Sequence, residues 1–362
     1  MNYSLARCVW EQTDTQKVAR MQRRDFLKAA AGGAARLSLS QAGQAVPPSR
    51  QFHPGAVWLD TDGKPIQAHG GGILYHEGIF YWYGEDKTLG YNNKVGASCY
   101  SSRDLFQWKH EGTALAAAAV PEQFRDTGVL ERPKVIYNAK THKFVLWAHL
   151  DAHGYSESVA GVAISDSPTG PFVLLSHTHP IGSSTYRDMN LFLDTDGQAY
   201  SIYSAEDNAT IYIVRLNEDF TGPETPTVEG KTWVRAIVRH SREAPAPFKH
   251  ENRYYLLTSG TSGWDPNAAQ VATADHILGP WTTGDNPCVG PGADKTFRSQ
   301  STFVLPITGR SPGGFIYMGD RWEPKNLADS RYIWLPFQIK PDGSFDLHWQ
   351  DAWDLSVFGH RI

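Results

Sequence analysis

His76-Glu-Gly-Ile-Phe-Tyr-Trp-Tyr-Gly84 is the stretch whose reading decides the fold, because the same phrase, a polar turn running into an aromatic strand, returns four more times. It recurs as Thr141-His-Lys-Phe-Val-Leu-Trp147, Asp196-Gly-Gln-Ala-Tyr-Ser-Ile-Tyr203, His250-Glu-Asn-Arg-Tyr-Tyr-Leu-Leu257 and Gly313-Gly-Phe-Ile-Tyr-Met318, at intervals of 54 to 65 residues. A companion phrase, a polar turn ending in Gly-Pro, falls between the copies at Ser165-Asp-Ser-Pro-Thr-Gly-Pro-Phe172, Asn217-Glu-Asp-Phe-Thr-Gly-Pro223 and Ala274-Asp-His-Ile-Leu-Gly-Pro-Trp281, with Ser102-Arg-Asp-Leu-Phe-Gln-Trp108 as a looser fourth. Repeats of this length, built from short aromatic and β-branched strands, mark propeller blades, each a four-stranded sheet that buries its faces only against its neighbours. The pattern predicts an all-β, five-bladed β-propeller.

Composition agrees with one large domain over residues 51–362. Aromatic residues make up 12% of the chain, and no apolar run beyond residue 50 has the length to cross a bilayer. The first 45 residues read differently. Met21-Gln-Arg-Arg-Asp-Phe-Leu-Lys28 precedes an Ala/Gly-rich stretch, Ala29 to Ala35, and a small-residue run, Gln41-Ala-Gly-Gln-Ala45. A paired Arg before a weakly apolar segment and a small-x-small site predicts a twin-arginine export signal and a periplasmic or extracellular protein. Arg36 inside the apolar segment departs from that pattern and would suit a basic N-terminal tail; residues 1–20 are read as a start assigned too early. Residues 1–45 hold seven Lys/Arg and three Asp/Glu, so the remainder carries −8 against −4 for the whole chain. That acidity points away from nucleic acid and anionic membranes as partners. Cys99 and Cys288 remain beyond the signal and are read either as a pair or as two half-buried thiols.

In a propeller the innermost strands line a central tunnel, so a catalytic cluster should be scattered through the sequence at blade spacing. Four carboxylates fit: Glu85 in Tyr83-Gly-Glu-Asp-Lys87, Glu131 in Val129-Leu-Glu-Arg-Pro-Lys-Val135, Asp188 in Tyr186-Arg-Asp-Met-Asn-Leu-Phe192 and Glu243 in Arg242-Glu-Ala-Pro-Ala-Pro-Phe248. Three of them adjoin an Arg among apolar residues, where desolvation and charge move a carboxyl's pKa. Taken singly, each also suits a solvated turn; recurrence on successive blades and a Pro shortly after Glu131 and Glu243 favour a site. Two acidic functions flanking a sugar bond are what glycosidases require. Gln67-Ala-His-Gly-Gly-Gly72 is read as a place of close approach between backbone and ligand or as a tight turn. Trp264, in Ser259-Gly-Thr-Ser-Gly-Trp-Asp-Pro-Asn267, is read as a stacking surface for a pyranose or as a loop-tip indole. Met318-Gly-Asp-Arg-Trp322 and Arg331-Tyr-Ile-Trp-Leu-Pro336 are read as core strands of the last blade.

The order of these phrases, with Thr261-Ser-Gly-Trp264, Ser299-Gln300 and Tyr317-Met-Gly-Asp-Arg-Trp322, resembles glycoside hydrolase family 43 from about residue 52 onward, and within it the branch of exo-β-1,3-galactanases. The resemblance implies a five-bladed propeller, inversion at the anomeric carbon, Glu243 as general acid and Asp188 as the carboxylate that tunes it. Most of the family carries an Asp base at the start of the first blade, where this chain has Gln67-Ala-His69. In the galactanase branch Gln300 corresponds to the residue thought to hold the attacking water, through an imidic acid form or by positioning alone, with Glu131 as the alternative base. Glu85, Tyr155, Thr261 and Trp264 correspond to sugar contacts. The expected activity is release of galactose from β-1,3-galactan, the backbone of arabinogalactan. The alternatives are a β-galactosidase or α-L-arabinofuranosidase of the same family and a non-catalytic sugar-binding propeller. A monomer is expected, without cofactor or metal. The C-terminal Leu347-His-Trp-Gln-Asp-Ala-Trp353 is read as blade closure with no appended binding module.

Overall fold

The structure, a computed structural model, describes residues 50–91, 94–125 and 127–361; the expected export signal lies outside them. Blade 1 comprises strands His69–His76, Ile79–Glu85, Gly96–Ser102 and Lys109–Ala116; blade 2, Val129–Asn138, Lys143–Asp151, Val159–Ser165 and Val173–Thr178. Blade 3 follows with Arg187–Leu193, Ala199–Ala205, Thr210–Arg215 and Trp233–Ile237, and blade 4 with Arg242–His250, Arg253–Gly260, Gln270–Ala274 and Thr282–Thr283. Blade 5 has three strands, Gln300–Ile307, Gly314–Arg321 and Arg331–Phe337. Every blade is an antiparallel sheet in which each strand pairs with the next in sequence. The five first strands pack side by side in a closed ring around the axis. This is the five-bladed propeller that the repeats predict.

The repeated phrase is the hairpin tip plus the second strand of each blade, and the companion phrase is the connection between third and fourth strands. In blade 1 the tip is made by Glu77 and Gly78, both at positive φ (49° and 80°), the conformation a two-residue hairpin requires. The aromatic run continues unbroken because a second strand is buried on both faces. Tyr81 and Tyr83 join the core between blades 1 and 2, while Trp82 between them joins the core between blades 5 and 1. Five apolar clusters occupy the five inter-blade interfaces. Cys99 and Cys288 lie in two different clusters as buried free thiols.

The ring is locked where the two ends of the described chain meet. Phe52 and Trp353 exchange backbone hydrogen bonds of 2.7 and 3.1 Å, and their rings stack at 4.2 Å. The Trp353 indole N–H donates to the Trp334 carbonyl of blade 5 at 2.8 Å. Trp353→Ala removes this plug, and chemical denaturation should register a loss of about 3–5 kcal/mol, the range for emptying a large buried aromatic site.

Candidate active site

Each first strand begins with a bulge, at which two of its residues oppose one on the second strand. The interruptions fall between His69 and Gly72, Glu131 and Lys134, and Glu243 and Ala246, opposite Asp188 in blade 3, and between Ser301 and Phe303. At four of them a residue adopts left-handed backbone: Gly70 (φ 57°), Arg132 (52°), Asp188 (44°) and Ala244 (55°). Pro133 and Pro245 sit inside two of these bulges, where no ladder donor is needed. A bulge re-aims the side chains beside it, and here the five together turn polar groups toward one mouth of the tunnel.

The result is a pocket of about 440 Å³ lined by Glu85, Glu131, Asp188, Glu243, Gln300, Tyr155, Thr261 and Trp264, so all eight residues singled out from the sequence meet there. Arg132 joins them. Its backbone N–H donates to Glu85 (3.0 Å), and its guanidinium donates to Asp188 (2.7 Å), to the Ser301 carbonyl (2.9 Å) and to Gln300 Oε1 (2.5 Å). Gln300 uses its remaining valences as well. Its Oε1 also accepts from Trp322 Nε1 (3.1 Å), while its Nε2 donates to Glu243 (2.8 Å) and to Ser259 Oγ (3.1 Å). On the first strand of blade 2, Lys134 is buried beside Gly72, its Nζ bonded to the Gly70 carbonyl at 2.6 Å; burial lowers its pKa well below the usual lysine value.

The acids differ in their surroundings. Glu243 is buried, near the Asp188 charge, with the neutral amides of Gln300 and Asn208 (3.0 Å) as its hydrogen-bond donors. Burial first and Asp188 second push its pKa up to about 8. For Glu131, burial works upward too, but His149, Lys87 and Arg132 outweigh it and hold the carboxyl at about 2. Glu85 forms an ion pair with Lys87 at 2.5 Å.

Two readings need correction. Trp322, expected in the core, lines the pocket and packs edge-on to Trp264 at 5.3 Å. The triple glycine makes room for protein neighbours: a Cβ on Gly70 would come within 2.3 Å of Glu85 Oε1, and one on Gly72 within 2.6 Å of Lys134 Cδ. His69, at the place of the family's usual base, is fully buried against Tyr332 and bonded to Asp320 at 3.2 Å. Lys87, Arg132, His149, Arg187 and Asn208 also line the pocket and were not singled out. For Lys87 and Arg132 the signal was present, since each lies within two residues of a chosen acid. His149 stands at cross-strand register with Glu131, which local sequence does not display.

A tunnel mouth that gathers four carboxylates, one of them a buried glutamic acid with its pKa raised to about 8, carries the kind of acid that hydrolysis of sugar bonds employs. The sequence profile of Glycosyl hydrolases family 43 matches residues 66–299, and the chain belongs to that family. It is similar to a solved family 43 β-1,3-galactosidase with galactodeoxynojirimycin: 41% identity, TM-score 0.77, covering 84% of this chain and all of that one. An exo-β-1,3-galactanase from Phanerochaete chrysosporium, solved with β-1,3-galactotriose, is 35% identical (TM-score 0.76, 85% of this chain, 69% of that one). One from Clostridium thermocellum is 34% identical (TM-score 0.76, 84% and 66%). A xylan 1,3-β-xylosidase from Vibrio sp. is 26% identical over 73% of this chain, which spans about half of that protein's length.

The raised Glu243 makes a test that needs no substrate. Folding favours its protonated form, so its contribution to stability is full below about pH 4 and is lost as the pH rises through about 8. Glu243→Gln cannot ionise. Its melting temperature relative to wild type should therefore climb steadily from pH 5 to pH 8, and a constant difference would show that Glu243 is ordinary.

Proposed function

We propose that the protein is an exo-acting, inverting glycoside hydrolase that releases galactose from the non-reducing end of β-1,3-galactan. The observation that carries this is Glu243, buried with a pKa near 8 beside Asp188 at the floor of a pocket gathered from all five blades. The similarity to solved β-1,3-galactosidases supports the sugar and linkage. In this reading Glu243 protonates the leaving oxygen, and Asp188, anchored by Arg132, keeps that proton in place until the bond breaks.

Gln300 acts by position. Arg132 and Trp322 donate to its oxygen, and its nitrogen is bonded to Glu243 and Ser259 Oγ, so both ends of the side chain are held in place for a water beside it. The proton of the incoming water is lost once the new C–O bond makes that oxygen strongly acidic, and even a carboxylate held as low as Glu131 then accepts it. Glu85, Tyr155, Thr261 and Trp264 contact the sugar in this reading. An extracellular polymer as substrate agrees with the export signal read in residues 1–45.

The experiment is incubation of residues 46–362 with de-branched β-1,3-galactan, followed by NMR from the earliest minutes. Galactose appearing first as the α-anomer is expected. Xylose from 1,3-linked xylo-oligosaccharides with no action on galactan would move the substrate to that of the Vibrio relative, and binding without turnover would identify a non-catalytic propeller. Glu243→Ala should lower galactan turnover about 10²–10⁴-fold while largely sparing galactosides with good leaving groups. Gln300→Ala should lower kcat with little change in KM.

A further inference from the structure

His149 is buried on the second strand of blade 2, cross-strand from Glu131, and lies between two carboxylates. Its Nδ1 is 3.5 Å from Glu131 Oε2, and its Nε2 is 3.2 Å from Asp151 Oδ2. A neutral imidazole has one N–H, so one of its nitrogens would set a lone pair against an anionic oxygen. The imidazolium suits both surroundings: Nε2 hydrogen-bonds Asp151, and Nδ1, buried and without a hydrogen-bond partner, faces Glu131 at ion-pair distance. We propose that His149 is a positioning residue of this site: as an imidazolium bridging Asp151 and Glu131, it holds the Glu131 carboxylate ionised and aimed into the pocket, where that carboxylate accepts hydrogen bonds from substrate hydroxyls.

The far side of the bridge is rigid. Asp151 is fully buried and accepts from the Glu157 backbone N–H (2.8 Å) and from the Ser158 hydroxyl, which in turn accepts from Arg187 Nε at 3.0 Å. Arg187 also donates to the Tyr155 carbonyl at 3.3 Å, so the chain of contacts that fixes His149 ends on another pocket residue. The Tyr155 ring faces the imidazole at 6.1 Å and bonds through its hydroxyl to Tyr91 at 2.7 Å. Burial lowers the pKa of His149, but Asp151 and Glu131 raise it further, to about 9. Lys87, Arg132 and Lys94 also act on Glu131.

The role in catalysis rests on the activity proposed above, whereas the protonation state does not, and two measurements separate them. In the wild-type protein with isotope-labelled histidine, NMR should show His149 as an imidazolium at pH 7, titrating near pH 9. Glu131→Gln should lower that midpoint. A neutral His149 at pH 7 overturns the proposal whatever the substrate. For kinetics on β-1,3-galactobiose, His149→Gln should raise KM about tenfold with a smaller change in kcat. The acidic limb of kcat/KM should move up by about one to three pH units as Glu131 loses a cationic partner. A folded variant with unchanged KM and acidic limb overturns the positioning role. Should the variant not fold, the NMR titration alone decides, and absence of wild-type turnover would count against the proposed activity only.

Discussion

The buried guanidinium of Arg132 is the constraint on which the site depends. It is an obligatory cation, and a buried charge left without partners is far more costly than the same charge in water. Asp188 of blade 3 together with Gln300 and the Ser301 carbonyl of blade 5 supply those partners, while the backbone of the same residue holds Glu85 of blade 1. The entry ends of the first strands are thereby fixed relative to one another at a point where no apolar core exists to do so. The left-handed backbone at Arg132 makes this possible by lifting two residues out of the ladder.

The division of labour among the acids follows from a count of cations. Four carboxylates reach the pocket, and three have a cation at close range: Lys87 with Glu85, Arg132 with Asp188 and, in the protonated form proposed above, His149 with Glu131. Glu243 is left with two amides as its donors. Burial beside an ionised neighbour then makes a proton its cheapest partner. In the proposed reading, the general acid is thus specified less by its own strand than by what the other blades withhold from it.

Much of this was legible in sequence for a physical reason. Propeller blades repeat, and a strand buried on both faces must be written in continuous apolar and aromatic residues, so the repeat length and the aromatic phrase fix blade number together. The Pro shortly after Glu131 and Glu243 disclosed the bulges, since proline in a strand has no ladder donor. What stayed hidden was pairing across distance. His149 reads as one polar residue in an apolar run, Asn208 as part of a turn and Trp322 as the end of a core strand. Their roles arise from which blade lies opposite, which no local phrase discloses. The triple glycine misled for the same reason: it signals a close approach without saying to what.

The first blade shows how the pocket manages without a carboxylate on its innermost strand. His69 turns away into the interface with blade 5, where Asp320 accepts from both its ring and the Gly70 amide. Gly70 leaves a gap, and Glu85 reaches into it from the neighbouring strand. The carboxylate delivered this way arrives already paired with Lys87 and bonded to the Arg132 amide. In the proposed reading such a group holds a substrate hydroxyl, its position set by Lys87 and the Arg132 amide. Gln300 is likewise held at both ends of its side chain. In the proposed reading, a site organised in this way places its chemical demand on the leaving group, which Glu243 serves, and asks of the incoming water mainly that it be held in line.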